Sequence, residues 1–192
     1  MLDIYSSKTI YLAGTLIPLI ISNILHMIVV KKKWLSILNY PINDGWFGKN
    51  KTYRGFFVLP LLNALLYTIL NWSESYSVSE LSTDINHNFS INNPTLFLFI
   101  IGGIYGLFYV IFELPNSIMK RRLGIEAGEY SHKYRFFFKL IDKTDSAFGL
   151  TLFYGYLNHF NIQLMIEFFL IAVVLHVVLS LILVAAKIKK SF

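Results

Sequence analysis

Five apolar stretches, at about 9–30, 56–71, 94–112, 146–160 and 162–186, alternate with polar segments along the chain. Each is measured against the roughly 20 apolar residues a helix needs to cross a bilayer. The second and fourth are short, which bilayer thinning or shielding by neighbouring protein accommodates. The pattern predicts an all-α integral membrane protein with about five transmembrane helices. The length leaves no room for a separate soluble domain, so residues 1–192 form a single membrane-embedded domain.

Charge orients these segments. Lys31, Lys32, Lys33, Lys49, Lys51 and Arg54 follow the first, and Lys120, Arg121, Arg122, Lys133, Arg135, Lys139 and Lys143 follow the third. Lys187, Lys189 and Lys190 follow the last, so that only Lys8 of 17 basic residues falls on the other side. The positive-inside rule then predicts a multi-pass protein of the cell membrane with its N-terminus outside and its C-terminus cytoplasmic. The segment 72–93, with Glu74, Glu80 and Asp84 and no Lys or Arg, fits the outer face. A cleaved signal peptide is the competing reading of the first segment, but its basic residues follow the apolar run instead of preceding it.

Composition agrees: 55% hydrophobic, 17% aromatic and 15% charged residues are membrane proportions. With no cysteine, disulfides and thiolate metal sites are excluded. A net charge of +6 invites a nucleic-acid reading. The basic residues lie where topology demands them, and no nucleic-acid partner is expected.

Some polar residues exceed what topology requires. Between Gly48 and Gly55 stand Asn50, Lys51, Thr52 and Arg54. Glycines let backbone N–H groups approach an anion, lysine supplies a compact charge and arginine a planar fork, a combination suited to phosphate. The spacing is not that of a P-loop. Asp142 and Asp145, three apart, share one face of a helix. They suit Mg²⁺, which takes one or two carboxylates plus substrate phosphates, or they cap a helix starting there. Glu113 precedes Pro115, which is expected to break or kink the third helix; the acid either joins a metal site or reaches the interface. Lys120, Arg121 and Arg122 follow, and a polyphosphate with its metal would balance acids and cations together.

These residues resemble the CDP-archaeol synthase family. The likeness runs through Asn23, the turn Pro41 to Gly45, Gly48 to Gly55, Asn116-Ser117 with Lys120 to Ile125, Gly128, Leu140 to Asp145, and His176. It covers nearly the whole chain, and the family is distantly similar to the CDP-diacylglycerol synthases. The resemblance implies a five-span enzyme with its active site in cytoplasmic loops. That enzyme transfers CMP from CTP to a lipid phosphate, either one like 2,3-bis-O-geranylgeranylglycerol phosphate or one like phosphatidic acid, and releases pyrophosphate. Under it Asp142 and Asp145 would hold Mg²⁺ with Glu113 as a further ligand. Lys120 joins the acids as a catalytic group. Asn50, Lys51, Thr52 and Arg54 would bind the CTP phosphates, and Arg121 and Arg122, beside Asn116 and Ser117, the phosphate of either substrate. Partners are CTP, the lipid phosphate and membrane lipids. The alternative is a non-catalytic membrane scaffold or transporter subunit that retains the fold.

Overall fold

The computed structural model describes residues 2–70, 93–129 and 133–186. The segment 72–92, expected on the outer face, and the basic tail Lys187, Lys189 and Lys190 lie outside the described residues. The chain forms helix α1 (Leu2–Lys31), a 3-10 turn (Ser36–Leu38), a short α2 (Asp44–Phe47), and four long helices. These are α3 (Tyr53–Ile69), α4 (Pro94–Arg122), α5 (Arg135–Leu157) and α6 (Ile162–Ala185). The architecture is all-α, and each of the five apolar stretches falls on a long helix. Three of them, over Gly14–Lys31, Thr95–Arg122 and Ile162–Ala185, are long and apolar enough to cross a membrane, consistent with multi-pass placement. Helix α3 is shorter, with 17 residues. The first half of α5 carries Arg135, Lys139, Asp142, Lys143 and Asp145.

Two helix boundaries correct the sequence expectations. Pro115 does not break α4, which continues to Arg122. The Ser117 hydroxyl donates to the Glu113 carbonyl at 3.1 Å in the turn around the proline, and Pro115 itself sits on an exposed face. Helix α5 starts at Arg135, about two turns before Asp142. Both aspartates therefore lie inside the helix, past the unpaired N–H groups that a capping residue would satisfy.

Apolar burial gives helices little reason to associate in lipid, where small residues and interhelical hydrogen bonds take over. The α3–α4 contact follows that rule. A Cβ at Gly106 would come within 2.5 Å of Pro60 Cα, and one at Gly102 within 2.7 Å of Tyr67 Cβ. The fully buried Asn63 donates to the Gly102 carbonyl at 2.6 Å, and the Tyr67 hydroxyl reaches across to the Thr15 carbonyl of α1 at 2.6 Å. A run of rings continues through the bundle. Tyr67 stacks on Tyr105 at 5.7 Å, Tyr105 meets Phe153 edge-on at 4.7 Å, and Tyr154 stacks on Phe168 of α6 at 4.2 Å. This packed half supports a polar cavity at the other end of the helices.

Candidate active site

The cavity, of about 560 Å³, opens where α1, α4 and α6 end and α3 and α5 begin. Its walls carry the cations Lys51, Lys120, Arg121, Lys139 and Lys143 and the acids Glu113, Glu129, Asp142 and Asp145. Nearly balanced charge of this density inside a helical bundle is costly unless each group is paired, and the pairing is visible.

Local chemistry fixes Lys51 first. Asn43 caps α2, its side chain accepting from Trp46 N–H at 3.1 Å, and Gly48 ends it with φ near 80°, a conformation that favours glycine. The chain then doubles back. Ile42 N–H donates to the Lys51 carbonyl at 2.9 Å and Tyr53 N–H to the Tyr40 carbonyl at 3.0 Å, which pins the backbone of Lys51 on both sides. Its ammonium forms an ion pair with Glu113 on α4. Burial opposes the charged lysine, but the charge and hydrogen bond of Glu113 outweigh it and raise the Lys51 pKa above its ordinary value.

The end of α4 places the next group. Gly124, with φ near 70°, closes the helix, with Ile125 N–H donating to the Lys120 carbonyl and Gly124 N–H to that of Arg121, both at 3.0 Å. Lys120 thus sits in the last turn and reaches both Asp142 oxygens at 2.5 and 2.7 Å, with its ammonium 5.5 Å from the centre of the buried Phe138 ring. Asn116, 5% exposed, donates through one nitrogen to Asp142 Oδ1 at 2.6 Å and to Asp145 Oδ2 at 2.9 Å. The amide orientation is dictated by those two acceptors, since the reverse would face oxygen to oxygen. Asp145 also accepts from Ser146 N–H at 2.7 Å.

Asn50, Lys51, Thr52, Glu113, Asn116, Ser117, Lys120, Arg121, Asp142 and Asp145 all line the cavity, whereas Arg54 and Arg122 do not. Arg54 is 6% exposed and donates to the Trp34 carbonyl at 3.3 Å, which ties α3 to the turn after α1; like that of Arg121, its Nε is a buried donor without an acceptor. Arg122 is exposed. Sequence reasoning gave no site role to Asn23, His26, Tyr109, Lys143, His176 or Ser180, which also line the cavity. The available signal was a polar side chain inside or beside an apolar span, which marks function by default.

The expected three-carboxylate metal set is not assembled. Among the described residues no group of three or more His, Asp or Glu side chains is poised to hold a metal ion. Glu113 is engaged by Lys51, and Asn116 and Lys120 hold the two aspartates, because carboxylates at close range repel unless a positive or hydrogen-bonding group stands between them. The Asp142 and Asp145 pair nevertheless fits a hard divalent cation. Two of their oxygens already converge on one atom, and Asn116 Oδ1 is a buried oxygen without a donor. Arg121 Nε is a buried donor without an acceptor, the counterpart suited to an anionic oxygen.

No curated protein and no solved structure matches the chain. A family model described as CarS-like, CDP-archaeol synthase, matches residues 1–192. The chain therefore belongs to the CDP-archaeol synthase family, enzymes that transfer CMP from CTP to a lipid phosphate.

Proposed function

We propose that the cavity between the ends of α1, α4 and α6 is where CTP and a glycerol lipid phosphate meet, with Mg²⁺ held by Asp142 and Asp145. The observation that carries this reading is Asn116, whose single nitrogen draws the two carboxylates together beside the cations Lys51, Lys120 and Arg121. Mg²⁺ bound there would neutralise phosphate charge and polarise the phosphoryl group under attack. Glu113, paired with Lys51, is not a metal ligand in this reading.

An oxygen of the lipid phosphate attacks the α-phosphorus of CTP. The new P–O bond forms as the bond to the β-phosphate oxygen breaks, and pyrophosphate leaves with that electron pair. The lipid phosphate is the nucleophile, so no side chain is required to act as one. The protein's task is to hold two anions in line and to stabilise the charge that develops. Lys51, Lys120 and Arg121 supply cations, and Asn50, Thr52 and Ser117 supply neutral hydrogen bonds. Without substrate, Lys51 pairs with Glu113 and Lys120 with Asp142. Substrate phosphates exchange into those pairs.

The whole chain acts as one domain, and the acceptor is an unsaturated isoprenoid ether of glycerol phosphate or its phosphatidic acid counterpart. Pyrophosphate release by the purified protein tests the reading, with CTP and Mg²⁺ and either unsaturated archaetidic acid, phosphatidic acid or no lipid. Release that requires one of the lipids and disappears in Asp145→Asn is expected. Unchanged release in Asp145→Asn would remove the aspartate pair from the site.

A further inference from the structure

Asn23 and His26, three apart, share a face of α1, and that face lies against α4. Asn23 donates to the Tyr109 hydroxyl at 3.0 Å, and Glu113 stands one turn beyond Tyr109. The next turn brings His26 towards Glu113, and the charged groups that act on its imidazole are Glu113, Arg54 and Lys51. His26 lines the cavity, and its Nε2 is buried with no hydrogen-bond partner among the described residues. Gly55 of α3 lies beside that edge of the ring, where a Cβ would stand 3.6 Å from both Cε1 and Nε2. The α3 backbone thus approaches the imidazole without covering the nitrogen with a side chain.

A buried nitrogen without a partner costs free energy that a ligand atom recovers. Charge decides which atom. Two cations and one acid act on His26, and the acid is already paired with Lys51. An anionic oxygen therefore fits, accepting from a protonated Nε2. Position narrows it further. Lys51 is acted on by Glu113 and then by Asp145 and Asp142, so the Lys51–Glu113 pair stands between His26 and the aspartates. A triphosphate with its α-phosphorus at the aspartates and its next phosphate at Lys51 brings its last phosphate to His26. Packing against Gly55 accounts for the ring, but not for an unpaired nitrogen in a polar wall.

We propose that His26 binds the terminal phosphate of the nucleoside triphosphate, the end that departs in pyrophosphate, by donating a hydrogen bond from Nε2. This deepens the proposed function and rests on its placing of the reaction centre at Asp142 and Asp145. The bonds made and broken remain those at the α-phosphorus, and His26 gives up no proton. It holds the far end of the leaving group so that the α-phosphorus stays in line with the lipid phosphate.

CDP-lipid formation by detergent-solubilised full-length protein tests this, with CTP and the lipid phosphate each varied at saturating levels of the other and with pyrophosphate or CMP added as inhibitor. His26→Leu keeps the bulk and removes the donor. It is expected to raise the KM for CTP and the inhibition constant of pyrophosphate each about tenfold, with the KM for the lipid phosphate and inhibition by CMP unchanged. His26→Gln, whose amide nitrogen reaches about as far as Nε2, should recover most of both. Weaker inhibition by CMP with unchanged inhibition by pyrophosphate would move His26 to the nucleoside, and a rise confined to the lipid KM would move it to the acceptor. Either result overturns the assignment, as do equal changes in all four constants or none in any. If His26→Leu does not fold, as judged by gel filtration, His26→Asn decides, being polar but too short to reach the Nε2 position; unchanged inhibition by pyrophosphate in it overturns the assignment. Failure of the underlying reading is distinguishable, since it shows as retained turnover in Asp145→Asn whatever the His26 variants do.

Discussion

Asn116 draws together two carboxylates that would otherwise repel, so its amide does work that neither a charged nor an apolar side chain can repeat. Asn116→Leu should leave the bundle folded and cost about 10- to 100-fold in turnover, with a weaker apparent affinity for Mg²⁺, measured as the Mg²⁺ dependence of pyrophosphate release. Unchanged Mg²⁺ dependence would show that the two aspartates are held together without it. The Lys51–Glu113 pair makes a different prediction. Lys51→Met leaves an acid uncompensated in a largely enclosed site and should lower thermal stability in detergent, while Lys51→Met combined with Glu113→Gln should recover stability but not turnover. Recovery of turnover by the double variant would mean that Lys51 only neutralises Glu113. That pairing was not legible in the sequence. Its members stand 62 positions apart, and residue type alone assigned one to phosphate and the other to metal. Arg54, expected to bind phosphate, lies off the cavity wall on a backbone carbonyl, which suits a guanidinium as well as a phosphate oxygen does. The aspartate pair was legible as two acids three apart on one helix face, whereas Asn116 and Lys120 were marked by the family resemblance and their contacts with the pair come from the fold.

At the level of elements, hydropathy located every long helix but not every end. It registers only the apolar part of α5, whose first turns are charged on the side that builds the cavity. Likewise α4 continues past Pro115 because a proline on an exposed face costs hydrogen bonding without colliding with a neighbour. Contacts between helices were less legible, since glycine in a membrane span marks a close approach without naming its partner. Here a Cβ at Gly106 would meet Pro60 Cα at 2.5 Å, and one at Gly149 would meet Phe112 Cγ at 2.5 Å and its Cβ at 2.7 Å. Turning the phenyl ring relieves neither Phe112 contact, because Cγ lies on the rotation axis and Cβ moves only with its helix. Gly106→Ala and Gly149→Ala are both therefore expected to destabilise the protein by about 1–3 kcal/mol, measured by thermal unfolding in one detergent. Unchanged stability in either variant would mean that the two helices move apart there at little cost.

At the scale of the whole molecule, three helices qualify as spans by length and composition, yet the site constrains how many crossings the chain makes. Lys51, just before α3, pairs with Glu113 near the end of α4, and Asn23 of α1 donates to the Tyr109 hydroxyl of α4 at 3.0 Å, so α3 begins on the side where α1 and α4 finish. Among the described helices, α3 is the one that carries the chain to the other side. In the same way Lys143, near the start of α5, meets Ser180, near the end of α6. Those two helices run in opposite directions, and α6 begins on the far side only if α5 has crossed. Polar groups along α5 are tolerated because they face the cavity and not lipid. Five crossings, with the cavity on the cytoplasmic side, are the topology expected on these grounds. The absence of cysteine makes the inference directly testable by labelling single-cysteine variants with a membrane-impermeant maleimide. Gln163→Cys, in the first turn of α6, should react in intact cells, and Glu126→Cys, after α4, only once the membrane is opened. Labelling of both in intact cells, or of Gln163→Cys only after opening, would mean that α5 does not cross. The reaction centre would then need another route to its lipid.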